Sequence, residues 1–104
     1  MEPTDAALSP ETASQLFRAL SDPRRLAIVF DLAARSAPAR VTDLTACCDI
    51  DFSGVSRHLK ALREAGLVRA EKRGRETLYT LRADAFADSL DAFAQSIRDS
   101  AGNA

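Results

Sequence analysis

The chain has 104 residues, 46% of them hydrophobic, which is enough for one small core and leaves no room for a second domain. Its aromatic residues are five Phe and one Tyr, with no Trp, so we expect that core to be aliphatic and mainly helical. The formal net charge of −1 excludes neither an acidic nor a basic partner, whereas two adjacent cysteines exclude a disulfide framework.

Targeting signals and membrane spans are not expected. No apolar run approaches the roughly 18–20 residues that cross a membrane, and residues 1–11 lack the charged and apolar regions of a signal peptide. We therefore expect a cytoplasmic protein with no membrane partner. Residues 1–104 form one predicted domain, in which residues 1–8 and 100–104 are expected to be disordered.

The first predicted helix begins with Ser9 as its cap and Pro10 at its first position. Apolar residues then recur at i, i+3, i+4 and i+7, as on one face of a helix. These residues are Ala13, Leu16, Phe17 and Leu20. The helix is predicted to end near Ser21.

The same signal, a cap followed by proline, opens a second helix at Ser21-Asp22-Pro23 that should run to about Arg35. The expected apolar positions of this helix are Leu26, Val29, Phe30 and Ala33, widened by Ile28 and Leu32. Pro38 then interrupts the helical pattern.

A short third helix follows an extended Arg40-Val41. Thr42 is the predicted cap, and the helix should run from Asp43 to about Cys48. Leu44 and Cys48 share its core-facing side.

The fourth predicted helix spans Asp51–Ala65 and divides into an apolar and a polar face. Asp51 is the predicted cap, and the apolar stripe is Val55, Leu59 and Leu62. The polar residues Ser53, Ser56, Arg57, Lys60 and Arg63 lie largely on the other side. Gly66 is the expected left-handed stop.

A β-hairpin should follow, because two β-competent runs flank a basic turn that contains glycine. The runs are 67–71 and 77–81, and the turn is Lys72-Arg73-Gly74-Arg75-Glu76. A last helix should start at Asp84, with an apolar stripe of Phe86, Leu90, Phe93 and Ile97. The predicted fold is mainly α with a small hairpin (α+β): a winged helix-turn-helix of five helices and a two-stranded wing.

Charge is distributed unevenly along the chain. Residues 52–82 contain eight Lys/Arg and three Glu, whereas the rest contains six Lys/Arg and twelve Asp/Glu. A basic middle in an acidic remainder is typical of a surface that binds a polyanion with one face. The alternative is that the basic residues of the fourth helix only form a solvated helix face.

Three segments resemble the ArsR-type family of winged-helix repressors: 16–26 (LFRALSDPRRL), 55–62 (VSRHLKAL) and 65–68 (AGLV). The resemblance extends over roughly residues 13–98. It implies that the Asp51–Ala65 helix is the recognition helix and that Glu71–Glu76 form the wing. It also implies a homodimer whose interface is built from the first and last helices. The interface residues would be Leu16, Phe17, Leu20, Phe86, Leu90, Phe93 and Ile97.

A two-fold dimer of this kind would place two recognition helices in successive major grooves of double-stranded DNA, over an imperfect inverted repeat. Ser53, Ser56 and Arg57 are the predicted readers of base edges. The predicted phosphate contacts are Lys60, Arg63, Lys72, Arg73 and Arg75. Gly54 either allows close approach to DNA or is merely tolerated, and His58 fits a partly buried structural role better than a DNA contact.

Metal sensing is not expected from the residues present. Where metal-sensing members of the resembled family carry a Cys-x-Cys pair, this chain has Arg40 and Thr42, and its last helix contains carboxylates but no His. Carboxylates alone make poor zinc or nickel sites. We expect no metal and no cofactor. Cys47 and Cys48 have two interpretations, as core and near-core residues or as a thiol or metalloid sensor beside the recognition helix.

Other function classes fit the same residues less well. An enzyme is not expected, and no small-molecule substrate with it, because His58 and Ser56 lie on different helix faces and no catalytic pair is evident. RNA binding lacks aromatic residues among the basic ones. The rival hypothesis is a winged-helix module that binds an acidic protein, and a regulator without any inducer is a further alternative.

Overall fold

The computed structural model describes residues 9–102, which form five helices and one antiparallel hairpin. The elements are α1 (Pro10–Leu20), α2 (Pro23–Ala34), α3 (Val41–Cys48), α4 (Phe52–Glu64), β1 (Val68–Arg73), β2 (Glu76–Leu81) and α5 (Ala83–Gly102). This is the predicted fold class. The expectation for residues 1–8 falls outside the described residues. Among the described helices, none combines the length and apolarity needed to cross a membrane.

Two of the predicted helix starts are confirmed by their hydrogen bonds. Ser9 Oγ accepts from the Thr12 backbone N–H at 3.1 Å, and Asp22 Oδ1 accepts from the Arg24 N–H at 2.8 Å. Each cap is followed by a proline at the first helical position, where a missing N–H has no cost.

The third helix starts at Val41 rather than Asp43, so Thr42 is not its cap. Arg40 occupies the cap position with extended backbone, and its N–H donates to Asp43 Oδ2 at 2.9 Å. The capping carboxylate thus belongs to the third residue of the helix and bonds the backbone N–H that precedes the helix. Val41 is the first helical residue rather than an extended one.

The core forms where α2, α3 and α4 pack together with the base of the hairpin. Its largest fully buried side chains are Ile28, Leu44, Val55, Leu59 and Leu62. All five lie on apolar stripes that the sequence predicts. The predicted face of α4 is thereby confirmed.

The buried face of α2 is narrower than the sequence predicts. Ile28, Val29 and Leu32 are buried, whereas Phe30 is 71% exposed and Ala33 is exposed as well. Phe30 follows Ile28 by about 200° around the helix, so the two side chains point to nearly opposite sides.

The hairpin is longer and its turn shorter than predicted. Val68 pairs with Leu81 and Arg73 with Glu76, which leaves only Gly74 and Arg75 in the turn. Gly74 has φ +63° and Arg75 does not have a positive φ, as in a type II′ turn. Tyr79 also exchanges two backbone hydrogen bonds with Ala39, of 2.8 and 2.9 Å, which attach the hairpin to the segment before α3.

The end of α4 confirms Gly66 as a left-handed stop, with φ +79°. The Gly66 N–H donates to Arg63 O and the Leu67 N–H donates to Leu62 O, both at 2.9 Å. These two bonds form a Schellman motif, which satisfies carbonyls at the helix end and turns the chain directly into β1.

The last helix lies on the outside of the protomer, and none of its residues is buried. Phe86 and Leu90 pack against the edge of the core, and the Phe93 ring meets Phe17 of α1 edge-on with centroids 4.9 Å apart. Ile97 is 55% exposed. The helix continues through Ser100 to Gly102, where the sequence predicts disorder, and the expectation for residues 103–104 falls outside the described residues.

One residue of the expected dimer interface lies elsewhere. Leu16 is buried inside the protomer core with 5% exposure, because its side of α1 faces α2. Phe17, by contrast, is 39% exposed, and Leu20 is half-buried. Of the remaining members, Phe17 and Ile97 are exposed, whereas the others are half-buried: Leu20, Phe86, Leu90 and Phe93.

Candidate nucleic-acid interface

The outer face of α4 carries the polar residues for which the sequence predicts DNA contacts. Ser53, Arg57, Lys60 and Arg63 are exposed, and Ser56 is half-buried at the side of the same face. The opposite face holds the fully buried Val55, Leu59 and Leu62. Burial of one face thus fixes which side chains α4 presents to solvent.

The first turn of α4 gives Gly54 a role that the sequence does not predict. Gly54 is buried, and its N–H donates to Asp51 Oδ1 at 2.7 Å. A Cβ at this position would lie 2.7 Å from Ile50 Cγ2 and 2.8 Å from the same Asp51 oxygen. Glycine is required here by the packing of the helix cap. Gly54 does not belong to the exposed face, so it neither brings the helix close to DNA nor is merely tolerated.

The tip of the hairpin (β1–β2, hereafter the wing) presents three exposed cations, Lys72, Arg73 and Arg75. Arg73 Nε lies 3.2 Å from Glu71 Oε2 in an exposed ion pair. Exposed pairs of this kind contribute little and exchange readily for another anion. Within residues 9–102, Lys72 and Arg75 form no ion pair.

A second ion pair connects the wing to the start of α3. Arg40 Nη1 lies 3.1 Å from Glu76 Oε2, while Arg40 Nε also lies 3.4 Å from Asp43 Oδ2. The backbone N–H of Arg40, and then its guanidinium, lower the pKa of the Asp43 carboxyl, which stays ionised at neutral pH. The negative charge of the Glu76 carboxylate is therefore opposed by a cation within the protomer.

Sequence reasoning missed Phe52, which is the first helical residue of α4 and is 58% exposed. It lines a groove of about 320 Å³ between α4, the start of α3 and the wing. The other lining residues are Arg40, Val41, Thr42, Ser56, Arg75, Glu76, Thr77 and Tyr79. The sequence carries no clear signal for this exposure, because Phe52 precedes Val55 by three residues and Leu59 by seven, which is the spacing of the buried stripe itself.

His58 has a structural position, on the flank of α4 that faces α2. Arg25 Nε donates to His58 Nδ1 at 3.3 Å, and Arg25 Nη1 donates to the Ala19 carbonyl at 3.2 Å. Burial lowers the pKa of His58, and the nearby Arg25 and Arg57 lower it further, against the opposing effect of Asp22. The neutral imidazole accepts the Arg25 hydrogen bond and links α1, α2 and α4.

The two cysteines occupy different environments. Cys47 is exposed, its thiol donates weakly to the Leu44 carbonyl at 3.5 Å, and Cys48 packs half-buried against the core. Partial burial, the Cys48 thiol and the Asp31 carboxylate raise the pKa of Cys47, so the thiol is protonated at neutral pH. Among the residues described, no three His, Cys, Asp or Glu side chains are arranged to hold a metal ion.

Similarity to known proteins extends over most of the chain. A sequence model described as "Bacterial regulatory protein, arsR family" matches residues 22–70, from the cap of α2 into β1. The HTH-type transcriptional regulator NmtR of Mycobacterium tuberculosis is 38% identical over 89 residues, which are 86% of this chain and 72% of that protein. The HTH-type transcriptional repressor SmtB of the same species is 42% identical over 71 residues, which are 68% of this chain and 51% of that protein.

A solved structure agrees with the fold. The homodimeric winged helix-turn-helix DNA-binding domain of Mb0332 from Mycobacterium bovis, described as a possible ArsR-family transcriptional regulator, superposes with a TM-score of 0.68 at 27% identity. The alignment covers 86% of this chain and 80% of that domain. Sequence and structure comparisons therefore point to the same class of protein.

The environment of His58 generates a prediction about pH. Because the folded state lowers the pKa of this residue, the unfolded chain binds more protons at mildly acidic pH, and stability should rise with pH there. We expect the unfolding free energy of the wild type, relative to His58→Gln, to increase with pH through the mildly acidic range and to level off about one pH unit above the ordinary His pKa of about 6.5. Urea unfolding of both proteins at a series of pH values, at one protein concentration, measures this.

His58 is the only histidine of the chain, and carboxyl titrations common to both proteins cancel in the difference. A difference that does not change between about pH 5 and 8 would show that the imidazole is not held neutral by the fold.

Proposed function

This chain belongs to the arsR family of bacterial regulatory proteins, and from that premise we propose that it is a homodimeric repressor that binds an imperfect inverted repeat in duplex DNA. The chain is a winged helix-turn-helix DNA-binding transcriptional regulator, and its family is one of regulators rather than enzymes. Its place of action would be the cytoplasm, where bacterial DNA lies.

The observation that carries the proposal is the set of exposed cations on α4 and the wing, two elements whose Ser56 and Arg75 line the same groove. Arg57, Lys60 and Arg63 lie on the exposed face of α4, and Lys72 and Arg75 lie at the tip of the wing. Within residues 9–102 none of these five cations forms an ion pair. A surface of unpaired cations around a protruding helix suits a polyanion with a groove wide enough for that helix.

The two halves of this surface have different proposed roles. Ser53, Ser56 and Arg57, near the N-terminal end of α4, would contact base edges, with Arg57 contacting a purine. Lys60 and Arg63 on α4, and Lys72, Arg73 and Arg75 on the wing, would contact phosphates, which set the register of the protein on the duplex. The Arg73–Glu71 pair would open when Arg73 meets a phosphate.

The dimer is supported by the apolar residues of α1 and α5 that the protomer leaves uncovered. Phe17 and Phe93 contact each other at the centre of this surface, and Ile97 extends it along α5. A helix of 20 residues without one buried side chain is stabilised when a second copy covers its apolar stripe. The homodimeric state of the Mycobacterium bovis domain supports the same assembly.

We further propose that Cys47 and Cys48 do not control DNA binding, which leaves a regulator without a thiol-based inducer. Cys48 packs against the core, and the raised pKa of Cys47 disfavours the thiolate that reacts with oxidants and metalloids. Release of the DNA through these thiols is the second candidate, because Cys47 is exposed one short turn before α4.

The DNA contacts can be tested with duplexes selected from a random pool and with scrambled duplexes of equal length. We expect the wild type to prefer a selected duplex by about 10³ or more near physiological salt. Arg57→Ala should lose about 1–3 kcal/mol per half-site on the selected duplex and relax its sequence preference. Lys72→Ala should weaken both duplexes alike and reduce the salt slope of the dimer by about 2, because one phosphate in each of the two half-sites is no longer neutralised.

Fluorescence anisotropy over a range of salt concentrations measures these effects. Arg98→Ala on α5 removes the same charge outside the α4–wing surface and should change neither affinity nor slope. Equal, weak binding of both duplexes by the wild type would instead favour a module that binds an acidic protein.

The proposed dimer surface can be tested by placing a charge on it. Ile97→Asp should shift the mass measured by sedimentation from a dimer to a monomer, because burying an unpaired carboxylate is unfavourable. The same variant should bind a complete inverted repeat no more tightly than a half-site.

Phe30→Asp is the matched control, since Phe30 is at least as exposed as Ile97 but lies on α2. A dimer that persists in Ile97→Asp and dissociates in Phe30→Asp would move the interface to α2.

The role of the cysteines can be tested on the protein–DNA complex in reducing buffer. We expect arsenite or a mild oxidant to leave the affinity of the wild type within about twofold, as in the Cys47→Ser/Cys48→Ser double variant, because a protonated thiol reacts poorly with both reagents. Release of the wild type from DNA, combined with retention of the double variant, would establish a thiol sensor and overturn our proposal.

A further inference from the structure

The exposed side chain of Phe52 belongs neither to the core nor to the proposed dimer surface. A single exposed apolar side chain is common on protein surfaces and indicates nothing by itself. Phe52 differs in its position, because it occupies the first turn of α4, directly after the Asp51 cap. In helix-turn-helix proteins the N-terminal residues of this helix contact base edges.

The surroundings of Phe52 restrict what can cover it. Phe52 and Ser56, one turn apart, form the α4 wall of the groove of about 320 Å³, and Val41 and Tyr79 contribute on the side of α3 and the wing. The groove is a depression in the surface rather than an enclosed cavity. A ligand must therefore enter along the surface of the protomer, as a groove edge of DNA would, rather than fill a closed cavity.

The charge of the groove also favours DNA over an apolar peptide. Arg40 and Arg75 line it, and the one carboxylate, that of Glu76, is paired with Arg40 at 3.1 Å. Arg40 is also paired with Asp43, so the cation that remains available in the groove is Arg75, which forms no ion pair within residues 9–102. A sugar–phosphate strand can follow these arginines while a base edge meets the aromatic ring.

The chemistry of B-DNA then identifies the group that meets Phe52. In the major groove the base edges present hydrogen-bond donors, acceptors and one apolar group, the C5-methyl of thymine. We infer that Phe52 contacts the 5-methyl group of a thymine in each half-site and contributes to sequence specificity there. Ser56, one turn further along, is placed to hydrogen-bond the neighbouring base pair. This inference rests on the proposed function.

The test removes that methyl group and nothing else. A duplex is first selected from a random pool with the wild-type protein, and each thymine of its half-sites is then replaced in turn by deoxyuridine. Deoxyuridine keeps the hydrogen-bonding edge of thymine and lacks only the methyl. At one position per half-site we expect wild-type affinity to fall about fourfold (about 0.8 kcal/mol) for each half-site changed.

The Phe52→Ala protein completes a double-mutant cycle, in which the thymine methyl and the Phe52 ring are removed separately and together. It should bind the thymine and deoxyuridine duplexes with equal affinity at that position, because the side chain that meets the methyl is absent. Phe52→Leu should retain part of the preference for thymine. Phe52→Gln should shift the preference at the same position towards adenine, whose N6 and N7 a glutamine can bind in a bidentate manner.

Phe30→Ala is the matched control, since it truncates a Phe on α2 that is at least as exposed, and it should discriminate thymine from deoxyuridine as the wild type does. The inference is wrong if wild type and Phe52→Ala respond equally to every deoxyuridine substitution in a duplex that both bind specifically. The proposed function itself fails if the wild type selects no duplex from the pool.

Discussion

The burial of Val55, Leu59 and Leu62 is the interaction on which the rest of this protein depends. These three side chains are fully enclosed by α2, α3 and the base of the hairpin, so α4 has only one rotation about its own axis that satisfies the core. That rotation turns Ser53, Arg57 and Lys60 outward. The composition of the exposed face is thus decided by packing, and the chemistry of DNA contact is built on a surface that the core has already oriented.

The wing depends on α4 and α3 in turn. The Schellman motif at Gly66 directs the chain from α4 into β1, and the backbone bonds between Ala39 and Tyr79 attach β2 to the segment before α3. The Arg40–Glu76 ion pair lies at the same junction. Backbone hydrogen bonds of this kind do not depend on salt, whereas the exposed ion pair is screened by it. The position of the wing therefore rests mainly on the backbone.

Local signals in the sequence predict much of this architecture. The caps Ser9, Asp22 and Asp51 and the stop at Gly66 act on neighbouring backbone groups, so their spacing reveals them. The features that the sequence does not reveal depend on contacts distant in sequence or on the direction of a side chain. The Asp43 carboxylate, inside α3, accepts from the backbone N–H of Arg40 at the start of the helix. The β-bridge between Ala39 and Tyr79 joins residues 40 positions apart.

The candidate site shows the same division. The exposed cations of α4 and the wing follow from periodicity and the hairpin signal. The need for glycine at position 54 cannot be predicted in this way. It depends on the distance from a Cβ at this position to Ile50 Cγ2, which only the three-dimensional structure of the cap reveals. The exposure of Phe30 and Phe52 is hidden for a related reason, since an apolar residue at helical spacing is compatible with burial until its neighbours are known.

The attachment of the wing has a consequence for how such a regulator could be switched. Because the backbone bonds between Ala39 and Tyr79 join the wing to the segment before α3, the wing, α3 and α4 form one connected unit within a protomer. A signal that releases the proposed dimer from DNA would then have little to bend inside each unit. It would act instead on the distance and angle between the two units, which are set by the packing of the outermost helices, the least buried part of the chain.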